Sequence, residues 1–308
     1  MNVFFSWINS GTPEQKKKKQ LTAYALAAVA VLLVLSILTL AIMGIVSAIK
    51  KGVQNNELDD ESVDPTRGYV TTTFAENQLH SGNLLMIDEA HPYVAEANTG
   101  VETIVLENGR AKIEDAAFYS SETLYDQVQK DALDAMNKML VDFYNKTQDD
   151  NLYVNKSGTL NTFELKYTTG VSGSARLSIA GVEIYNWIFE NAYKYGFVQL
   201  YSAPEANTAE GAEAAQDKTN IFRYVGEIHS NIMKDKKCET LSEYLELLKA
   251  KTTFKTHFRT TVNKVSYEVY YLAQGGELLV PEKYKDSYTV SGNNVDGYIV
   301  TVCTTTSK

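Results

Sequence analysis

Cysteine, histidine and proline are scarce in this 308-residue chain. Two cysteines, Cys238 and Cys303, are too few for a disulfide-built scaffold and lack the paired spacing of a cysteine metal site. They could close one disulfide in an oxidising setting, but nothing in the sequence pairs them. The four histidines, His80, His91, His229 and His257, are scattered, and no His-Glu-x-x-His helix motif is present. A Walker-type phosphate loop and a dinucleotide fingerprint are also missing. The turn Gly-Val-Ser-Gly-Ser at 170–174 lacks the Gly-x-Ser-x-Gly spacing of a nucleophile elbow. Positive charge is short as well: 29 Lys and Arg stand against 38 Asp and Glu, for a net charge of −9. Such a chain repels nucleic acid rather than binding it.

The sequence does contain one long hydrophobic run. From Leu21 to Ile49 there is no charged residue. A helix needs roughly 20 apolar residues to cross a bilayer core, so this segment is long enough to span with some tilt. A cleaved signal peptide is the competing reading, but its apolar region is normally about 7–15 residues. Lys16, Lys17, Lys18 and Lys19 precede the run, whereas Glu57, Asp59, Asp60, Glu61 and Asp64 come after it closely. The expected topology places the N-terminus in the cytoplasm and the main domain outside the membrane.

This divides the chain into a short cytoplasmic arm (1–20), a transmembrane helix (21–49), a polar acidic linker (50–67) and an extracytoplasmic domain (68–308). In that domain Gly68–Phe74, Leu84–Ile87 and Thr103–Leu106 have strand character. Leu124, Val128, Ala132, Met136, Leu140 and Phe143 recur at helical spacing and predict one long amphipathic helix. Strands are expected at Leu152–Val154 and Thr162–Lys166 around a turn at Ser157–Gly158. A helix is expected from Ser178 or Val182 to Tyr195, ended by Gly196, and then a strand at Phe197–Tyr201. The acidic stretch 202–217 reads as a surface loop or lid. Leu241–Leu248 is a helix starting after Thr240, and Val265–Leu272, Leu278–Val280 and Tyr298–Cys303 alternate as strands, with a turn at Asn294–Gly297. Helices and strands mix without regular βαβ alternation, which predicts an α+β fold.

Several segments together resemble VanY-like zinc D,D-carboxypeptidases, of the group that shares its fold with lysostaphin-type peptidases and the Hedgehog domain. They are SGNLLMIDEAHPY (81–93), GVEIYNWIFENAYKYGFVQLY (181–201), FRYVGEIHSNIM (222–233), LSEYLELL, and the terminal YEVYYL…VPEKYKDSYTVSGNNVDGYIVTV. The resemblance implies a mixed sheet with flanking helices, preceded here by the transmembrane segment, in a Gram-positive envelope. It also implies a zinc site built from Ser-x-His-x-x-Gly-x-Ala-x-Asp and Glu-x-x-His, with the Glu as general base on a zinc-bound water.

Aligned on those motifs, the first His position is Ala175, the Asp position Val182, the base Lys218 and the last His Ile221. None of the three apolar residues can bind zinc, and a protonated lysine accepts no proton. With those four positions replaced, the expectation is no metal, no cofactor and no catalytic residue. The expectation is a pseudopeptidase that binds a peptidoglycan peptide or an envelope protein without hydrolysis. An active D-alanyl-D-alanine carboxypeptidase with displaced ligands, or a subunit of a membrane complex, are the alternatives. Candidate cleft residues are Ser174, Arg176, Lys218, Arg223 and Tyr224, with Arg223 and Tyr224 in the block shared with the family.

Overall fold

The computed structural model describes residues 12–14, 68–170, 175–200 and 219–305. The expected transmembrane segment 21–49, the linker and the 202–217 loop lie outside the described residues. Among the described residues no helix is long and apolar enough to cross a membrane. The chain divides into two units, residues 1–59 and 60–308.

In chain order the second unit carries β1 (Tyr69–Thr72), β2 (Thr103–Val105), α1 (Leu106–Gly109), β3 (Lys112–Ile113), β4 (Ala116–Ala117), β5 (Gln127–Gln129) and α2 (Lys130–Thr147). Next come β6 (Leu152–Lys156), β7 (Thr162–Tyr167), β8 (Leu177–Ser178), α3 (Asn186–Asn191), β9 (Phe197–Gln199) and β10 (Ile221–Tyr224). The C-terminal part holds α4 (Glu227–Lys236), α5 (Leu241–Lys251), β11 (Phe258–Val262), β12 (Val265–Ala273), β13 (Leu278–Pro281), β14 (Tyr288–Gly292) and β15 (Gly297–Cys303). The α+β expectation holds, with two main antiparallel sheets. One runs β6-β7-β10-β9 with β8 added to β7, and the other runs β11-β12-β15-β14.

The first core lies between α2 and the central sheet. Met136, Met139, Leu140 and Phe143 fall on one helix stripe and are buried against Leu152, Phe163, Leu165 and Phe222. Each such side chain contributes about 1.5–3 kcal/mol by leaving water. The helix starts at Lys130, not near Leu124 as the spacing predicts. A four-residue interval also fits a strand, whose period is two. Val128 is paired with Ile104 in β5, and the Leu124 carbonyl accepts from the Glu107 amide at 2.8 Å.

Around the C-terminal sheet, alternation assigns each residue a side. Val269 and Ile299 face α4 and α5, packing on Met233, Tyr244 and Leu248, while Tyr270, Val300 and Val302 face Leu278 and Val280. Thr240 caps α5 as expected, its hydroxyl accepting from the Glu243 amide at 3.2 Å.

Two further expectations are corrected. Leu84–Ile87 is not a strand: its backbone partners are mostly side chains from distant elements. Ser291 Oγ accepts from the Leu84 amide (3.0 Å), Arg223 Nη1 donates to the Leu85 carbonyl (3.0 Å) and Asn294 Nδ2 donates to the Met86 carbonyl (2.8 Å). The 178–195 helix is also shorter and broken. Ser178 belongs to β8, Gly181 turns at φ +75°, and α3 is flanked by 3₁₀ turns at 183–185 and 192–195. Gly196 does end it, at φ +88°. A Cβ there would stand 2.6 Å from the Tyr224 ring and 2.9 Å from the Glu227 nitrogen, so the close approach requires glycine. Both cysteines are free thiols.

Candidate functional site

The central strand β10 sets the site. It is paired with β7 on one side (Ile221↔Glu164, Arg223↔Thr162) and β9 on the other (Tyr224↔Phe197). Its residues alternate between two faces. Phe222 enters the α2 core and Tyr224 packs beside it, with the Phe197 ring 5.4 Å from the Tyr224 ring. Ile221 and Arg223 point the other way and line a cavity of about 300 Å³ with Met86, Thr159, Thr162 and Leu241.

Arg223 is 5% exposed. A buried guanidinium is tolerated only where its N–H groups are satisfied. Nη1 donates to the Leu85 carbonyl at 3.0 Å and Nε to Thr162 Oγ1 at 3.3 Å. Thr162 belongs to a buried polar cluster. Thr159 Oγ1 lies 2.7 Å from Thr162 Oγ1 and donates to Asn161 Oδ1 at 2.8 Å, and Asn161 Nδ2 donates to the Tyr224 carbonyl at 2.9 Å. The cavity therefore has a floor fixed by hydrogen bonds and carrying one positive charge, beside apolar walls from Ile221, Met86 and Leu241. Such a combination suits a small ligand with a carboxylate and methyl groups. The sequence flags Arg223 but not Thr159, Asn161 or Thr162. Isolated small polar residues carry no spacing signal, and only the pairing of β7 with β10 brings them together.

The other expected positions are dispersed. Ala175 is exposed. Arg176 pairs with Glu122 at 3.5 Å and lies 4.4 Å over the Tyr153 ring. Val182 packs against the α2 core. None of these three lines the Ile221–Arg223 cavity. Ser174 and Lys218 lie outside the described residues. Tyr224 borders a second cavity instead, and its hydroxyl pKa is raised to about 12, first by burial and then by Asp131, Glu227 and Asp134.

The zinc that the resemblance implies finds no fitting donor set among the described residues. Ala175, Val182 and Ile221 offer no lone pair, and among the described residues no group of three or more His, Cys, Asp and Glu could hold a metal ion. Each histidine is engaged elsewhere. His80 bonds Asn294, His91 bonds Asp88 and His257 bonds Glu268. His229 sits between the Tyr244 hydroxyl (2.9 Å) and Thr301 Oγ1 (3.2 Å). Burial lowers the pKa of His229 to about 4, so it stays neutral at pH 7. The sequence suggests a surface position for the helix bearing it, but His229 faces inward against α5 and β15.

No family model matches the chain. A curated relative from Enterococcus faecium, named D-alanyl-D-alanine carboxypeptidase, is 30% identical over 249 residues, which is 75% of this chain and 78% of the relative. Among solved structures, the vancomycin-resistance D,D-dipeptidase VanXYg, in complex with a D-Ala-D-Ala phosphinate analogue, matches with a TM-score of 0.53 at 19% identity. That match covers 77% of this chain and 99% of VanXYg and supports the fold.

The curated relative corrects the expectation of a chain that is not an enzyme. A protein sharing 30% of its residues over most of both chains carries the name of the activity. Loss of donors at three positions does not establish inactivity, because a ligand set can be drawn from other positions.

Proposed function

Because the chain belongs to the VanY-like D-alanyl-D-alanine carboxypeptidase family, we propose that its domain takes a peptidoglycan stem peptide ending in D-Ala-D-Ala into the Ile221–Arg223 cavity. The membrane segment at 21–49 would hold the domain at the outer face of the cell membrane, where that peptide is found. The observation that carries this reading is the buried Arg223 guanidinium in the floor of an otherwise apolar and hydroxyl-lined cavity of about 300 Å³. A terminal dipeptide of two alanines presents one carboxylate and two methyl groups. The positive floor complements the carboxylate, and Ile221, Met86 and Leu241 offer contacts to the methyls. Release of the terminal D-Ala is the reaction expected of the family. A zinc-dependent release requires a ligand set other than Ala175, Val182 and Ile221.

The test uses the full chain in detergent micelles, titrated with a peptide ending in D-Ala-D-Ala and with the same peptide ending in L-Ala-L-Ala. D-Ala release is read in the same samples with and without added zinc. Saturable binding selective for the D,D peptide is the expected result. Failure to bind, or equal binding of both peptides, would overturn the reading.

A further inference from the structure

The Ile221–Arg223 cavity is small. At about 300 Å³ it lies at the lower end of the range for ligand cavities, about 300–1,000 Å³. Such a volume suits a ligand with short side chains, and each added methylene must displace a wall. The walls differ in how they are held. Ile221 and Arg223 belong to the central strand β10, which is paired with β7 and with β9. Thr159 and Thr162 lie 2.7 Å apart in the buried polar cluster. Leu241 opens α5 behind the Thr240 cap. Met86, by contrast, belongs to no strand or helix.

One turn of the C-terminal sheet grips Met86 at both backbone groups. The Met86 amide donates to the Asn293 carbonyl at 3.0 Å, and its carbonyl accepts from Asn294 Nδ2 at 2.8 Å. Asn294 is 4% exposed and firmly anchored. Its backbone amide donates to the Leu79 carbonyl at 2.9 Å, and its Oδ1 lies 2.5 Å from His80 Nδ1. Nδ2 is shared further with the carbonyls of His91 (3.0 Å) and Pro92 (3.2 Å). Its φ of +66° is a conformation that asparagine tolerates better than most residues. Asn294 itself does not line the cavity. The Met86 side chain packs on the core that contains Leu241 and the inner faces of α4 and α5. A methionine is unbranched and adapts to its surroundings. Where its backbone is pinned, the space it leaves to a ligand is pinned as well.

We propose that Met86 sets the upper size of the side chain that the cavity accepts at the C-terminus of its ligand, and that Asn294 is a positioning residue acting through Met86. This limit rests on the stem-peptide reading, in which the ligand carboxylate lies on Arg223 and the terminal side chain meets the surrounding walls. A terminal alanine methyl fits. A leucine side chain has to push Met86 aside against the hold of Asn294, because Ile221 is fixed in a strand paired on both sides. A residue of the C-terminal sheet thus selects the ligand of a cavity built mostly on the central one.

The experiment titrates the full chain in detergent micelles, by calorimetry, with two peptides that differ only in the last residue. One ends in D-Ala-D-Ala and the other in D-Ala-D-Leu. The native chain is expected to bind the second about 10-fold more weakly or worse, the discrimination that a few methylenes yield in a fitted pocket. Met86→Ala should shrink that ratio to about 3-fold or less by opening the wall. Asn294→Asp keeps a residue suited to φ +66° but replaces the donating amide with an acceptor, and it should shrink the ratio as well. Phe143→Leu loosens the other core and should leave the ratio native, which separates positioning from a general loss of stability. Equal binding of the two peptides by the native chain, or a native ratio in Met86→Ala, would overturn the size limit and leave the stem-peptide reading standing. A native ratio in folded Asn294→Asp would remove Asn294 as the positioning residue. Binding of neither peptide by the native chain would overturn the stem-peptide reading and, with it, the limit that rests on it.

Discussion

His229 Nδ1 lies 2.9 Å from the hydroxyl of Tyr244, a bond that ties α4 to α5 beneath the C-terminal sheet. Both groups have pKa values displaced by burial, His229 downward and Tyr244 upward. The folded histidine titrates near pH 4, below the ordinary value of about 6.5. The unfolded chain therefore binds the proton first as pH falls. The stability contribution is fully present above pH 6.5 and is lost between that value and about 4. Urea unfolding across this window should show a falling midpoint for the native chain and a flatter profile for His229→Gln. Tyr244→Phe should lower stability by about 0.5–1.5 kcal/mol at neutral pH, the net worth of one hydrogen bond. An unchanged pH profile in His229→Gln would remove His229 as the cause.

Phe143 is 1% exposed and packs among Tyr185, Trp187 and the inner face of the central sheet. Phe143→Ala should cost about 3–5 kcal/mol, the transfer loss plus the cavity left behind. Denaturant unfolding checks it, and a loss below about 1 kcal/mol would contradict the packing described.

Gly196 cannot take a side chain without moving the Tyr224 ring or the start of α4. Gly196→Ala should therefore destabilise by more than about 1 kcal/mol, since positive φ and close contact act together. The same variant should alter the fluorescence of the neighbouring aromatic cluster. A neutral or stabilising effect would mean the approach of β10 to the 192–196 turn is looser than the structure has it.

Arg223 holds the floor of the Ile221–Arg223 cavity through the Leu85 carbonyl and Thr162. Arg223→Gln should reduce affinity for a D-Ala-D-Ala peptide by at least 10-fold, because the positive charge is lost while part of the hydrogen bonding remains. Circular dichroism distinguishes this from unfolding. A folded variant with native affinity would remove Arg223 from recognition.

Much of the fold is legible in periodicity. The apolar stripe of α2 from Ala132 to Phe143 and the alternation in β12 and β15 are local patterns, and tertiary structure does not override them. Leu84–Ile87 misleads because its partners, Ser291, Asn294 and Arg223, come from up to about two hundred positions away, and no window of sequence contains them. The 178–195 helix is shorter than its pattern because Gly181 turns the chain at positive φ before α3 begins. In the site, strand alternation puts Ile221 and Arg223 on one face. Motif spacing alone cannot show that Arg176 faces Glu122 and Tyr153 instead.

The Leu84–Ile87 segment is held by Arg223 from the central sheet and by Ser291 and Asn294 from the C-terminal part of the chain. It works as a seam stitched from both sides. A fragment stopping after α5 would strip out two of these three stitches and expose Leu84, which is fully buried against Val269 and Ile299. The central sheet and the C-terminal sheet are thus bound to one melting event, and any trimming of the C-terminal part would have to re-sew this segment before the Ile221–Arg223 cavity could survive it.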